Sequence, residues 1–280
     1  MSIRLIALDL DGTLVNSRWE ISERDLQALA AATERGIQVV LATGRRPRAA
    51  APYAAKMPFP VTIITSNGAR VTTSAGEVAY RDFLPRDVAL KVLETLRAYR
   101  PYTVVTFDVP GMGQITMQDC AIHEGPLGWY VRTSMDHLQL VPDLSAEVQT
   151  DPVQVMVGGP PGRIEAVDPL LRQSPASPYI HITWTKYPER NVAICDIMNR
   201  GCTKGHALKF WATHCGIAAS EVMAIGDNFN DVEMLEFAGL AVVMGNHIDG
   251  LHRPGWVITA PCDESGVASA VENYVLSSAE

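Results

Sequence analysis

A chain of 280 residues, 47% of them apolar and 19% charged, is long enough for one large domain or two ordinary ones. No stretch approaches the roughly 18 unbroken apolar residues of a membrane-crossing helix, and a formal charge of −8 speaks against a general binder of nucleic acid. Small phosphate esters stay within reach, because a local site can oppose the global charge.

The chain opens on "MSIRLIALDLDGTLVNS". Met1 to Arg4 lacks the basic segment and long apolar stretch of a secretory leader, so a cytoplasmic protein is expected. The apolar run that follows has the texture of a buried strand, and it ends on two acids, Asp9 and Asp11. In an extended segment residues two apart face the same side, so the two carboxylates should repel. A divalent cation or a shared proton could offset that repulsion; alternatively, one acid caps the next turn and the other is solvated. A calcium loop is excluded, since the glycine falls too early and no glutamate closes a twelve-residue loop.

Next come a helix in "SERDLQALAAATERG", with Ser22 and Asp25 as its start and Gly36 at its end, and a strand, "IQVVLATG". Thr43, Gly44 and Arg45 stand at the end of that strand, before another helix; a hydroxyl and backbone N–H groups there suit a phosphate oxygen, or simply a turn. "VTIITSNG" follows as a third strand. Apolar strands joined by helices imply a parallel sheet covered on both faces.

From about Pro85 to about Arg190 the texture changes to a helix, "DVALKVLETLRAY", then strands in "YTVVTFDV", "GQITMQ" and "VQVMVGG", a helix after Gly162, and strands in "YIHITW" and "NVAICDIM". An α+β insert, residues 85–190, is expected between core segments 1–84 and 191–280. His181, Trp184, Lys186 and Tyr187 near its end either form a sugar-binding cluster or finish a strand edge.

The core pattern then resumes. "TKGHALKFWATHCG" is a helix capped by Thr203 and closed by Gly216, with Lys204 set against the helix dipole in the first turn, followed by "VMAIGD", a helix "DVEMLEFAG", "LAVVMG" and "GWVIT". Asp227 ends a strand, and Asn230 and Asp231 fall in the first turn of the next helix. These carboxylates suit magnesium, which takes one or two of them together with substrate phosphate. Cys120, Cys195, Cys202, Cys215 and Cys262 are odd in number and without metal spacing, so reduced, buried thiols are expected. No G-x-x-x-x-G-K-[ST] loop occurs, and "GMGQIT" lacks the third glycine of a dinucleotide fingerprint.

Taken in order, Asp9-Leu10-Asp11-Gly12-Thr13, the Thr43–Arg45 turn, Lys204-Gly205 and "GDNFND" resemble the four motifs of the haloacid dehalogenase-like phosphatases. The insert, "SNGA" at Ser66–Ala69 and "MGN" at Met244–Asn246 resemble the Cof-type branch with its type IIB cap. Where that branch continues "MGN" with an alanine and a lysine, this chain has His247 and His252.

The resemblance implies a Rossmann-like, doubly wound α/β core and a cap that closes over the site and recognises the substrate's alcohol. It implies that Asp9 attacks phosphorus and that Asp11 moves protons. Magnesium would be held by Asp9, the Asp11 carbonyl and Asp227, with Asp231 assisting through water, and the phosphoryl oxygens by Thr43, Gly44, Lys204 and Asn230. The implied substrate is a small phosphorylated metabolite, with no nucleic-acid or membrane partner. A phosphomutase or phosphotransferase, or a non-catalytic phosphometabolite sensor, are the rival readings.

Overall fold

The computed structural model describes residues 2–118, 132, 134–187 and 191–277. The chain divides into two compact units, Met1–Arg81 with Thr203–Glu280, and Asp82–Cys202.

The first unit is built on an eight-stranded sheet. Its strands are β1 (Leu5–Leu8), β2 (Gln38–Ala42), β3 (Val61–Thr65), β4 (Arg70–Thr72), β5 (Val78–Arg81), β12 (Val222–Gly226), β13 (Leu240–Val243) and β14 (Val257–Ile258), in the order β14-β13-β12-β1-β2-β3-β4-β5. The pairs from β14 to β3 are parallel, and β4 and β5 add an antiparallel hairpin at one edge.

Side chains alternate across each strand, so consecutive apolar residues feed two cores. Ile6, Leu8, Val39, Leu41, Met223 and Ile225 pack on one face with Leu29 and Ala32 of the helix Glu23–Glu34 and with the helix Gly266–Val271. Leu5, Ala7, Val40, Ala42 and Ala224 pack on the other with Leu208 and Ala212 of the helix Lys204–His214 and Leu235 of the helix Val232–Phe237. Each fully buried Leu or Ile contributes about 1.5–3 kcal/mol. The doubly wound α/β reading is therefore correct, with the hairpin as an addition.

The expected caps form. Ser22 Oγ accepts from the Asp25 N–H at 3.0 Å, and Asp25 Oδ1 in turn accepts from the Ala268 N–H at 2.7 Å, tying the two helices of that face together. Thr203 Oγ1 accepts from the His206 N–H at 3.0 Å.

The second unit holds a six-stranded sheet. Its strands are β6 (Thr103–Thr106), β7 (Ile115–Gln118), β8 (Leu138–Val141), β9 (Gln154–Gly159), β10 (Ile180–Tyr187) and β11 (Val192–Asn199), in the order β10-β11-β9-β6-β7-β8. All pairs are antiparallel except β7–β8. Val105, Val155, Val157, Cys195 and Ile197 face the helices Arg86–Thr95 and Val167–Arg172, as an α+β unit requires.

One expectation needs correction. The unit does not end at residue 190: β11 pairs along its length with β10, so the return comes at Thr203. Of the two readings of His181, Trp184, Lys186 and Tyr187, the strand edge holds: β10 is an edge strand, and alternation sends 181 and 187 to one of its faces and 184 and 186 to the other. Trp184 Nε1 donates to Asp168 Oδ2 at 3.3 Å, on the helix-covered side.

Cys195, Cys202, Cys215 and Cys262 are free thiols, all buried but the half-buried Cys215; Cys120 lies outside the described residues. Among the described residues no helix is long and apolar enough to cross a membrane.

Candidate active site

Parallel strands in register bring their C-terminal ends to one edge of the sheet, the edge where open α/β sheets bind ligands. Asp9 follows β1, Thr43 follows β2, Ser66 follows β3 and Asp227 follows β12, and these four strands are neighbours. Leu8 sits opposite Ile225, and the Asp9 N–H donates to the Ile225 carbonyl at 3.0 Å, so Asp9 and Asp227 arrive side by side.

At this edge the helix Lys204–His214 contributes its first residue. Lys204 has no solvent exposure. Its Nζ donates to Asp9 Oδ1 at 2.5 Å and to Asp231 Oδ1 at 2.7 Å. Asp231 Oδ2 accepts from the N–H groups of Asp227 and Asn228 at 3.0 and 3.1 Å, which closes the loop after β12. Asp227 Oδ1 accepts from the Thr13 hydroxyl at 3.0 Å.

Burial dominates the electrostatics. It pushes the Asp9 carboxyl up to about 7, with Asp231 and Asp11 adding repulsion and Lys204 opposing. Asp227 is raised well above the usual carboxylate range by burial, then by Asp9 and Asp231. Burial alone would lower the Lys204 ammonium, yet Asp231 and Asp9 reverse that and raise it.

Asp9, Asp227 and Asp231 can each bring a carboxylate oxygen within 4.8 Å of the others, all three buried. The donor set suits a hard divalent cation. The unspent oxygens are Asp9 Oδ2 and Asp227 Oδ2, which accept no hydrogen bond from the described residues, whereas both oxygens of Asp231 are committed.

Asp11 departs from expectation. The strand stops at Leu8, the chain turns through Gly12, whose φ is +85°, and Asp11 lies outside the group formed by Asp9, Asp227 and Asp231. Asp11 leaves the carboxylate cluster for Arg45, accepting from Nε at 2.8 Å and from an Nη at 2.6 Å in a two-point pair. Each acid thus has its own cation.

Thr43 is buried, and its Oγ1 accepts from the Arg45 N–H at 3.0 Å. The Gly44 N–H next to it has no partner among the described residues. Asn230 Nδ2 donates to Asn67 Oδ1 at 3.0 Å.

A family model described as a haloacid dehalogenase-like hydrolase matches residues 6–271. The chain belongs to the haloacid dehalogenase-like hydrolases, in their Cof-type branch. It is 29% identical to the 5-amino-6-(5-phospho-D-ribitylamino)uracil phosphatase of Bacillus subtilis, covering 96% of this chain and 97% of that one. It is 27% identical to the pyridoxal phosphate phosphatase of Escherichia coli, covering 99% and 100%. Among solved structures, a haloacid dehalogenase-like hydrolase from Bacteroides thetaiotaomicron superposes with a TM-score of 0.79 at 27% identity, over 97% of this chain and 99% of the other.

Within this haloacid dehalogenase-like site, sequence reasoning passed over three contributors. Arg45 appeared as part of a turn and emerges as the partner of Asp11, and Thr13 hydrogen-bonds Asp227. Asn67 appeared only within the "SNGA" phrase; the signal was there, since it too follows an apolar strand at the same sheet edge.

Proposed function

We propose that the protein is a magnesium-dependent phosphatase of small phosphate monoesters, sugar phosphates foremost, working through an aspartyl-phosphate on Asp9. The observation that carries this reading is the buried Lys204 held between Asp9 and Asp231, with one oxygen each of Asp9 and Asp227 left open beside it. A buried ammonium at that point favours the ionised form of Asp9 against the effect of burial and meets the charge of a phosphoryl group.

In the first half-reaction an Asp9 carboxylate oxygen attacks phosphorus, the bond from phosphorus to the ester oxygen breaks, and Asp11 delivers a proton to the departing alcohol. In the second, Asp11 takes a proton from water, the water oxygen attacks phosphorus, and Asp9 leaves with inorganic phosphate formed. The Asp9 and Asp227 side chains and the Asp11 carbonyl would hold magnesium, which would supply neutralisation of phosphoryl charge. Asp231, with both oxygens already spent, holds Lys204 and would support the cation only indirectly. Thr43, the Gly44 N–H, Lys204 and Asn230 bind the phosphoryl oxygens, and we assign the unit Asp82–Cys202 the recognition of the alcohol.

The test is a screen of phosphorylated sugars, nucleotides and cofactors with magnesium, including pyridoxal phosphate because of the Escherichia coli relative. Phosphate release without a phosphorylated product is expected, which also separates hydrolysis from phosphoryl transfer. Asp9→Asn should abolish turnover and leave the melting temperature close to that of the parent; activity retained in that variant would overturn the covalent route.

A further inference from the structure

The three-residue turn Ser66–Gly68 lies at the centre of the phosphate-binding loops without belonging to any of them. Asn67 is 2% exposed and sits in the left-handed region, with φ 53° and ψ 29°. Its N–H donates to the Thr43 carbonyl at 3.1 Å, and the Ser66 N–H donates to the Arg45 carbonyl at 2.9 Å, so the turn is stitched to the loop after β2. Its Oδ1 accepts from Asn230 Nδ2 at 3.0 Å, reaching the loop after β12. The same amide lies against Gly44, where an added Cβ would meet Asn67 Oδ1 at 3.0 Å and Nδ2 at 3.4 Å. On its other side Gly68, at φ +108°, packs on the Thr203–Lys204 peptide so closely that a Cβ would fall 2.2 Å from the Thr203 carbonyl oxygen.

We propose that Asn67 is a positioning residue of the phosphoryl site, fixing the Asn230 amide and the Thr43–Gly44 turn in one geometry; this rests on the phosphatase reading above. A turn alone would be best served here by glycine, which takes positive φ without strain. A side chain kept in such a conformation and fully buried points to use of its amide. By accepting one N–H of Asn230, Asn67 sets the direction of the other N–H on the same planar group. A donor fixed in this way meets the developing phosphoryl charge without reorganising.

Asn67→Gly removes the amide and suits the backbone. With magnesium present, its competitive inhibition constant for inorganic phosphate should rise about tenfold, the effect of weakening one hydrogen bond to a charged group, while its melting temperature does not fall. Asn230→Ala should lose a similar amount. The double variant should lose little beyond either single one, because Asn67 acts through Asn230. A merely structural residue would give additive losses. Unaltered phosphate inhibition in Asn67→Gly, or additivity in the double variant, overturns the proposal while wild-type turnover upholds the phosphatase reading. A wild-type protein that neither hydrolyses esters nor binds phosphate overturns both. Should Asn67→Gly not fold, Asn67→Ala enters the same cycle with the same non-additivity as its readout.

Discussion

Lys204 Nζ lies 2.5 Å from Asp9 Oδ1 with no solvent on the lysine, and the same ammonium holds the fully buried Asp231. Three buried carboxylates share one buried cation, so the lysine supports the fold as well as the chemistry. Lys204→Met removes the cation and leaves the acids unpaired. Breaking a buried pair in this way costs about 3–5 kcal/mol, to be read from urea unfolding at neutral pH. The cost should shrink at pH 5, where Asp9 takes up a proton. Turnover should fall by about 10²-fold or more, as for loss of a charge-stabilising donor. A variant of wild-type stability would contradict the pairing.

The Asp9 carboxyl, pushed up to about 7 from an ordinary 3.8, ties stability to pH. A group whose pKa is raised on folding binds its proton more tightly in the folded chain. Its stabilising contribution is therefore complete below about 3.8 and is lost as pH rises to about 7. Asp227, also raised, acts in the same direction. A divalent cation must displace those protons, so its stabilisation should be small at pH 5 and reach a plateau above about 7. Melting temperatures with and without magnesium across this range test the expectation. An equal increment at pH 5 and pH 8 would refute it.

Two glycines in similar backbone conformations should respond differently to alanine. Gly12 has φ +85° and Gly36 φ +81°, so alanine at either takes on about 1–2 kcal/mol of left-handed strain. Nothing lies within 4 Å of a Cβ at Gly36, whereas one at Gly12 would meet Asp227 Oδ2 at 2.6 Å. Gly36→Ala should thus lower the melting temperature and keep magnesium affinity. Gly12→Ala should do the first and also weaken magnesium by displacing the Asp227 oxygen that is open to it. Calorimetric titration with magnesium separates the two.

The sheet of the first unit was legible because β1, β2, β12 and β13 are buried on both faces along most of their length and therefore read as apolar runs. The hairpin β4–β5 escaped because it is a short edge pair: β4 is three residues long with Val71 between Arg70 and Thr72, and β5 is four residues long, only partly buried, and ends on Arg81. The return at Thr203 lay beyond the expected boundary because "NVAICDIM", read as a strand of the insert, lies past residue 190; Val192 and Ile194 pack on one face of it and Ala193 and Cys195 on the other. In the site, Asp9, Lys204 and Asp227 stood out as polar residues ending apolar strands or opening a helix. The pairing of Asp11 with Arg45 did not, because it depends on the chain leaving the extended conformation after Leu8, a turn that local spacing does not encode.

That pairing carries the last prediction. Arg45 grips both oxygens of Asp11, and its guanidinium carbon lies 4.4 Å from the centroid of Tyr53 and 5.5 Å from that of Trp19. To act as the proposed acid, Asp11 must carry a proton on one of these oxygens and so give up one of the two contacts with Arg45. An alkyl ester needs that proton, since an alkoxide leaves poorly, whereas a p-nitrophenyl ester does not. Asp11→Asn should therefore lower kcat/KM for an alkyl phosphate by about 10²–10⁴-fold, the range for loss of a general acid, and for p-nitrophenyl phosphate far less. Because kcat/KM reports the steps up to alcohol departure, the later need for a base does not blur the comparison. Equal losses on both esters would assign Asp11 to binding instead of proton transfer.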